Sequence, residues 1–189
     1  RTQAAADVTV MTALLEARLL IGDPELMAKV SKQLNHRRLW PSKTFFEAKR
    51  EEQRIRHAKG DHTEYSLEPN VKTSPGGLRD IQTITWIALR HWRVSQVAEM
   101  VAHDILTEYD KNELEAAKKH LTEIRFALHL LTGGDENRLL FEHQQKLAQQ
   151  LGYKDGDQLA VEQFMQGYYR TAQRVNTIND ILLQKIGRA

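Results

Sequence analysis

The chain reads as all-α, a bundle-like domain of about seven helices with one long loop rich in proline and glycine. Three observations lead there. Apolar residues recur at helical spacing along almost the whole of the 189 residues. Strand-like alternation of apolar and polar residues is nearly absent. Helix-ending and helix-starting signals, among them Gly22, Asp23-Pro24, Gly133-Gly134 and Gly152, fall where the apolar runs stop.

The elements follow in order. A first helix is expected from about Gln3 to Leu20, ended by Gly22, and Asp23-Pro24 then supplies an N-cap with proline at the first helical position. Trp40-Pro41-Ser42 opens a third helix, which carries Phe45, Phe46, Ala48, Glu52 and Ile55 and becomes highly charged up to Gly60. From Asp61 to Ser74 the periodicity fails, so this stretch reads as loop, with a short extended segment around Tyr65 to Leu67. After Gly77 a helix places Ile81, Ile84, Thr85, Ala88, Leu89 and Trp92 on one broad face, the pattern of a central helix packed on several sides. A short helix near Ser95 to Ala102 precedes Thr107-Glu108-Tyr109-Asp110, a variant capping box. The long helix behind it runs to about Thr132 with a stripe of Leu114, Ala117, Leu121, Ile124, Leu128 and Leu131. Leu139 to Leu151 and about Gln158 to Ile186 make the last two helices. With no repeat and no low-complexity linker, residues 1–189 are expected to form one helical domain.

Composition excludes several classes. Hydrophobic residues make up 41% and charged residues 28%, an ordinary globular balance. The formal charge of +2, from 27 basic and 25 acidic residues, is scattered along the chain, which argues against a nucleic-acid surface. Absence of cysteine excludes disulfides and thiolate zinc sites and fits a cytoplasmic protein. No apolar run reaches the roughly 18 residues that span a bilayer, and no signal peptide is visible. The chain starts at Arg1 rather than Met, in helical sequence, and reads as a segment of a longer polypeptide.

Most motif-like clusters have an ordinary structural reading. Asp155-Gly156-Asp157 has the spacing with which nucleotidyltransferases hold two metal ions, but no strand and no Gly-Ser loop precede it, so a helix-capping turn is expected. His103-Asp104 lacks the earlier His and later Asp of a metal phosphohydrolase and reads as a turn. The other histidines show no ligand spacing. Arg125 and His129 share a helix face and are expected to serve a salt bridge, Asn137 a cap, and Glu16 with Arg18 a buried tie between elements.

One stretch reads as a site: Leu67-Glu68-Pro69-Asn70-Val71-Lys72-Thr73-Ser74-Pro75-Gly76-Gly77-Leu78-Arg79-Asp80-Ile81-Gln82-Thr83. Two glycines behind a proline open a helix, with Lys72 and Arg79 on either side. Backbone N–H groups and two cations can therefore converge on an anion where the helix dipole favours one. The plain alternative is a tight turn whose glycines supply positive φ and whose Asp80 caps the helix.

The Lys, Pro-Gly-Gly, Arg-Asp pattern resembles the bacterial enzymes that uridylylate the nitrogen regulatory protein PII, and the resemblance extends over Leu14 to Asp23, Trp40 to Gln53, Tyr65 to Trp92, Arg125 to Leu130 and Asn137 to Gly152. It implies the helical part of a PII uridylyltransferase, following a nucleotidyltransferase core and preceding an HD domain of the same polypeptide. The implied reaction is attack of a PII tyrosine on the α-phosphorus of UTP, with Mg²⁺ whose ligands lie mostly outside this chain. The family's phosphate loop and metal-binding D-x-D are missing here, and no His…His-Asp…Asp set for uridylyl removal follows, so the isolated chain is expected to be inactive. Lys72 and Arg79 would hold phosphate oxygens, the Gly76 and Gly77 amides would donate to one of them, and Asp80 would orient Arg79 or a metal-bound water. Two alternatives stand beside this reading: the equivalent domain of a glutamine-synthetase adenylyltransferase, which has a similar pattern, and a purely structural or protein-binding helical module.

Overall fold

The structure, a computed structural model, describes residues 2–34, 39–58, 66–94 and 96–188. The described residues form nine helices: α1 (Thr2–Ala6), α2 (Val8–Leu15), α3 (Pro24–Leu34), α4 (Ser42–Ala58), α5 (Leu78–Trp92), α6 (Val97–Ala102), α7 (Glu108–Thr132), α8 (Phe141–Gln150) and α9 (Ala160–Arg188). Extended pairing among them is confined to an isolated antiparallel bridge between Asn70 and Arg138. The fold is all-α, as the periodicity requires. The extended segment expected at Tyr65 to Leu67 lies partly outside the described residues, as do the start of the short helix at Ser95 and the residues His36 and His62.

The first helix departs from expectation. It breaks at Asp7, whose backbone is extended (φ −126°, ψ 115°) and whose side chain accepts the Thr9 N–H at 2.7 Å, capping a new helix. That helix stops at Leu15, five residues early, leaving Leu20 and Ile21 exposed. At α7 the capping box forms as written: Thr107 Oγ1 accepts the Asp110 N–H, and Asp110 returns the bond.

Two apolar cores are present, and α5 belongs to both. The larger takes Ile81, Ile84 and Ala88 from α5, the Leu114, Leu121, Ile124 and Leu128 stripe of α7, and Phe164, Tyr168, Val175 and Leu182 of α9. The smaller takes Trp86 and Ile87 from α5 with Met11, Phe45, Phe46 and Ile186. Helix α5 accordingly touches α2, α4, α7 and α9. Its Trp86 is 3% exposed, and burying a side chain of this size stabilises by about 3 kcal/mol. At its far end, Arg90 donates to the carbonyls of Trp40, Leu39 and Leu34 and so ties the end of α3 and the residues before α4 to α5.

Candidate functional site

The Pro-Gly-Gly turn is built from the inside. Asn70 folds its side chain over the following backbone and accepts the N–H groups of Lys72 and Thr73 at 3.0 and 2.9 Å, while its own N–H donates to Ser74 Oγ at 2.8 Å. The segment is stitched to the start of the 137–139 strand-like stretch by Val71 N–H to the Asn137 carbonyl and Leu139 N–H to the Pro69 carbonyl, both 2.8 Å. Gly76 has φ +74°, and a Cβ there would lie 2.0 Å from the Ala172 carbonyl oxygen of α9. A Cβ on Gly77 would lie 2.8 Å from the Val71 carbonyl oxygen. Both positions therefore require glycine for space, and the first also for conformation.

The backbone donors expected to face an anion are already committed. Gly76 N–H donates to Asp80 Oδ2 at 2.8 Å and Gly77 N–H to the Ser74 carbonyl at 2.9 Å. The first N–H groups of α5 are taken as well: Leu78 donates to Val71, Arg79 to Lys72 and Asp80 to Gly77, at 2.8 to 3.0 Å. The loop folds back and caps the helix with its own carbonyls, so the amide part of the anion-binding expectation is corrected.

Asp80 is corrected in the same way. It is fully buried and holds Arg56 Nη2 at 2.6 Å, His57 Nε2 at 3.1 Å and the Gly76 amide, so it neither orients Arg79 nor has an oxygen left for a metal-bound water. Arg56 also donates to the Thr73 carbonyl at 2.9 Å, tying α4 across the turn.

What remains available is cationic. Lys72 and Arg79 are half-buried, and among the described residues no carboxylate pairs with either side chain. The Arg79 guanidinium lies against the indole of Trp86, 5.3 Å from its centre, and Lys49 Nζ lies 4.4 Å from the same ring. Lys49 is 1% exposed and bonds Glu52 Oε2 at 2.7 Å. Burial above all, and next the charges of Arg79 and Arg56, push the Lys49 ammonium below its ordinary pKa, against the opposing pull of Glu52. The Trp86 indole N–H donates to Glu16 at 2.7 Å, so Glu16 does tie two elements, but it is exposed and the expected buried tie is corrected to one at the surface.

Lys49, Arg56 and His57 were missed by sequence reasoning. Their signal was spacing: Phe45, Lys49, Gln53 and Arg56 continue one α4 face, so polar residues take over a buried stripe without leaving it. The other clusters are structural. Asp155 Oδ1 accepts the Ala160 N–H at 2.8 Å at the start of α9, so the D-x-D is a cap turn. Asp104 N–H closes a turn on Val101 after α6. Arg125 donates to Asn137 Oδ1 at 2.6 Å, a neutral tie in place of the expected salt bridge. Among the described residues no three His, Asp or Glu gather as a metal site, and no helix is long and apolar enough to cross a membrane.

Comparison with known proteins gives this geometry a context. A family model described as GlnD PII-uridylyltransferase matches residues 44–183. Bifunctional uridylyltransferase/uridylyl-removing enzymes are similar to the chain: that of Acinetobacter baylyi is 49% identical over 96% of this chain and 21% of its own length. That of Pseudomonas aeruginosa is 46% identical over 96% and 20%, and that of Methylococcus capsulatus 48% identical over 98% and 21%. The chain thus spans about a fifth of the length of these relatives. No solved structure matches it. Matched through the turn, the cationic cluster and every helix from α4 to most of α9, the chain belongs to the GlnD PII-uridylyltransferase family.

Proposed function

We propose that this chain is the helical part of a PII uridylyltransferase, one helical unit that adjoins a nucleotidyltransferase core in the same polypeptide, ahead of an HD domain, in the cytoplasm. In that enzyme UMP passes from UTP to a tyrosine of PII. Mg²⁺ neutralises phosphate charge when bound. The carboxylates beside the turn do not suit it, since Asp80 is saturated by Arg56, His57 and Gly76 and no three acidic or histidine side chains gather among the described residues, so its ligands belong to the core. The role of this chain's own residues is electrostatic. Arg79 and Lys72 hold phosphate oxygens, and Gly76, Gly77 and Asp80 form the frame that keeps Arg79 at the helix start.

The observation that carries this reading is Arg79, a half-buried cation without a carboxylate partner among the described residues, braced on Trp86 beside two further cations. An arginine so placed is preorganised for an anion supplied from outside. In the full-length enzyme, Arg79→Ala is expected to reduce uridylylation about tenfold to a thousandfold while leaving helical content and melting temperature nearly unchanged. A variant with normal transferase rates, or one inactive only because it unfolds, would refute the role. The isolated chain, assayed with UTP, Mg²⁺ and PII, is expected neither to add UMP nor to remove it. Turnover that disappears on mutating one of its own carboxylates would contradict this.

A second reading is favoured by the committed glycine amides. The turn itself acts as a brace between α4, α5 and α9, and only its two flanking cations reach toward nucleotide.

A further inference from the structure

Outside the sequence-recognised turn, the strongest feature is a fully buried lysine. Lys49 reaches the Trp86 ring from α4 and shares it with Arg79 from α5. A lysine at 1% exposure is costly unless its charge is answered, and here it is answered by one carboxylate, that of Glu52, whose side chain is 37% exposed. Around it, three cations (Lys49, Arg56 and Arg79) stand among three carboxylates (Glu52, Asp80 and Glu16), but Asp80 is consumed by Arg56 and His57, and Glu16 accepts the Trp86 indole N–H at 2.7 Å. Among the described residues Arg79 has no carboxylate partner, and the carboxylate that covers Lys49 is partly open to water.

We infer that Glu52 is an exchangeable placeholder and that Lys49, Arg79 and the Trp86 platform form a second anchoring point for a polyphosphate chain, which takes the place of the Glu52 carboxylate on Lys49. This rests on the phosphate-handling reading of Arg79 and extends it to a residue on another helix. An i, i+3 pair within α4 can exchange in this way because Glu52 needs only a rotamer change to swing into solvent, whereas Lys49 is held by the packing around it. Phosphate oxygens bound between Lys49 and Arg79 would meet two cations from two helices, so the affinity should depend steeply on salt.

The test uses inorganic tripolyphosphate as probe, with the full chain at low ionic strength, followed by calorimetry and by the indole N–H and glutamate carboxylate resonances. In the unmodified chain the probe is expected to shift the Trp86 indole N–H and release the Glu52 carboxylate. Glu52→Gln, which removes the competing charge, should bind about threefold to tenfold tighter, the gain expected from deleting one partly exposed ionic competitor. Lys49→Met should bind at least about tenfold more weakly. Binding that leaves the Trp86 and Glu52 signals unmoved, or a Glu52→Gln chain that binds no tighter, overturns the inference, and the unmodified chain decides the matter even where a variant fails to fold. Arg79→Ala separates this from the preceding reading. If it abolishes binding while the Lys49 and Glu52 variants behave as wild type, Arg79 handles phosphate alone. If Arg79→Ala is neutral while Glu52→Gln tightens binding, Lys49 is an anion site and Arg79 is not.

Discussion

Two glycine turns in this chain look alike on paper and behave as opposites. Pro75-Gly76-Gly77 and Asp155-Gly156-Asp157 each precede a helix, and each carries residues used elsewhere for phosphate or metal. The first is buried: Gly76 is pressed against the α9 backbone at Ala172, and the amides from Gly76 to Asp80 are all engaged. The second is exposed, with nothing within 4 Å of a Cβ on Gly156, and the start of α9 behind it is capped by the side chains of Asp155 and Glu162. Composition does not separate them; what does is the packing partner, and with it whether adjacent charges are held in place or free to move.

Substitution at Gly76 is the severest way to break the comparison. Gly76→Ala forces a Cβ into a carbonyl 2.0 Å away at positive φ, and is expected to destabilise by on the order of 5 kcal/mol. That lowers the melting temperature by roughly 10–20 °C, read by circular dichroism. Next comes Asp80→Asn, which leaves Arg56 half-paired beneath the turn. A loss of about 3 kcal/mol in urea unfolding is expected, and Arg56→Met combined with it should recover part of that loss because no unanswered charge remains.

A smaller effect sharpens the contrast on the side of the exposed turn. His120 of α7 lies beside Gly167 of α9, and burial, only partly opposed by Glu123, holds its pKa below the ordinary 6.5. The folded state then binds fewer protons than the unfolded state just below pH 6.5. Its contribution is fully present above that pH, falls as pH drops toward the depressed folded value, and levels off beneath it. His120→Gln should flatten that part of a stability–pH profile. The smallest effect belongs to Gly156→Ala, expected to change stability by no more than about 0.5 kcal/mol in the same denaturation assay.

Much of the architecture could be read before any coordinates. The Leu114 to Leu128 stripe, the capping box at Thr107 and the broad face of α5 follow from spacing, because a helix that buries one side must repeat it. The break at Asp7 could not be read, since one aspartate amid Ala-Ala-Ala and Val-Thr-Val is compatible with either a helix interior or a cap, and tertiary packing decides. At the site, the residues were legible and their bonds were not. Pro75-Gly76-Gly77 announced a special turn, but only the folded loop shows that the Val71, Lys72 and Ser74 carbonyls reach its amides first. Lys49, Arg56 and His57 stayed hidden because a charged residue on a helix is normally a solvated one, and only the continuation of the Phe45 face marked them as interior.

The sharing of α5 between two cores has a mechanical consequence. A helix whose Ile81 and Ile84 lock into one apolar cluster and whose Trp86 and Ile87 lock into another cannot rotate or slide to satisfy one without straining the other. It works as a stiff axle clamped at two bearings. Because Arg79 sits in the first turn of that axle and leans on Trp86 further along it, the direction in which its charge points is set by packing on both sides of the molecule. Loosening of the smaller core around Met11, Phe45 and Ile186 would therefore be felt as a change of aim at the Pro-Gly-Gly turn, without any residue of that turn being touched.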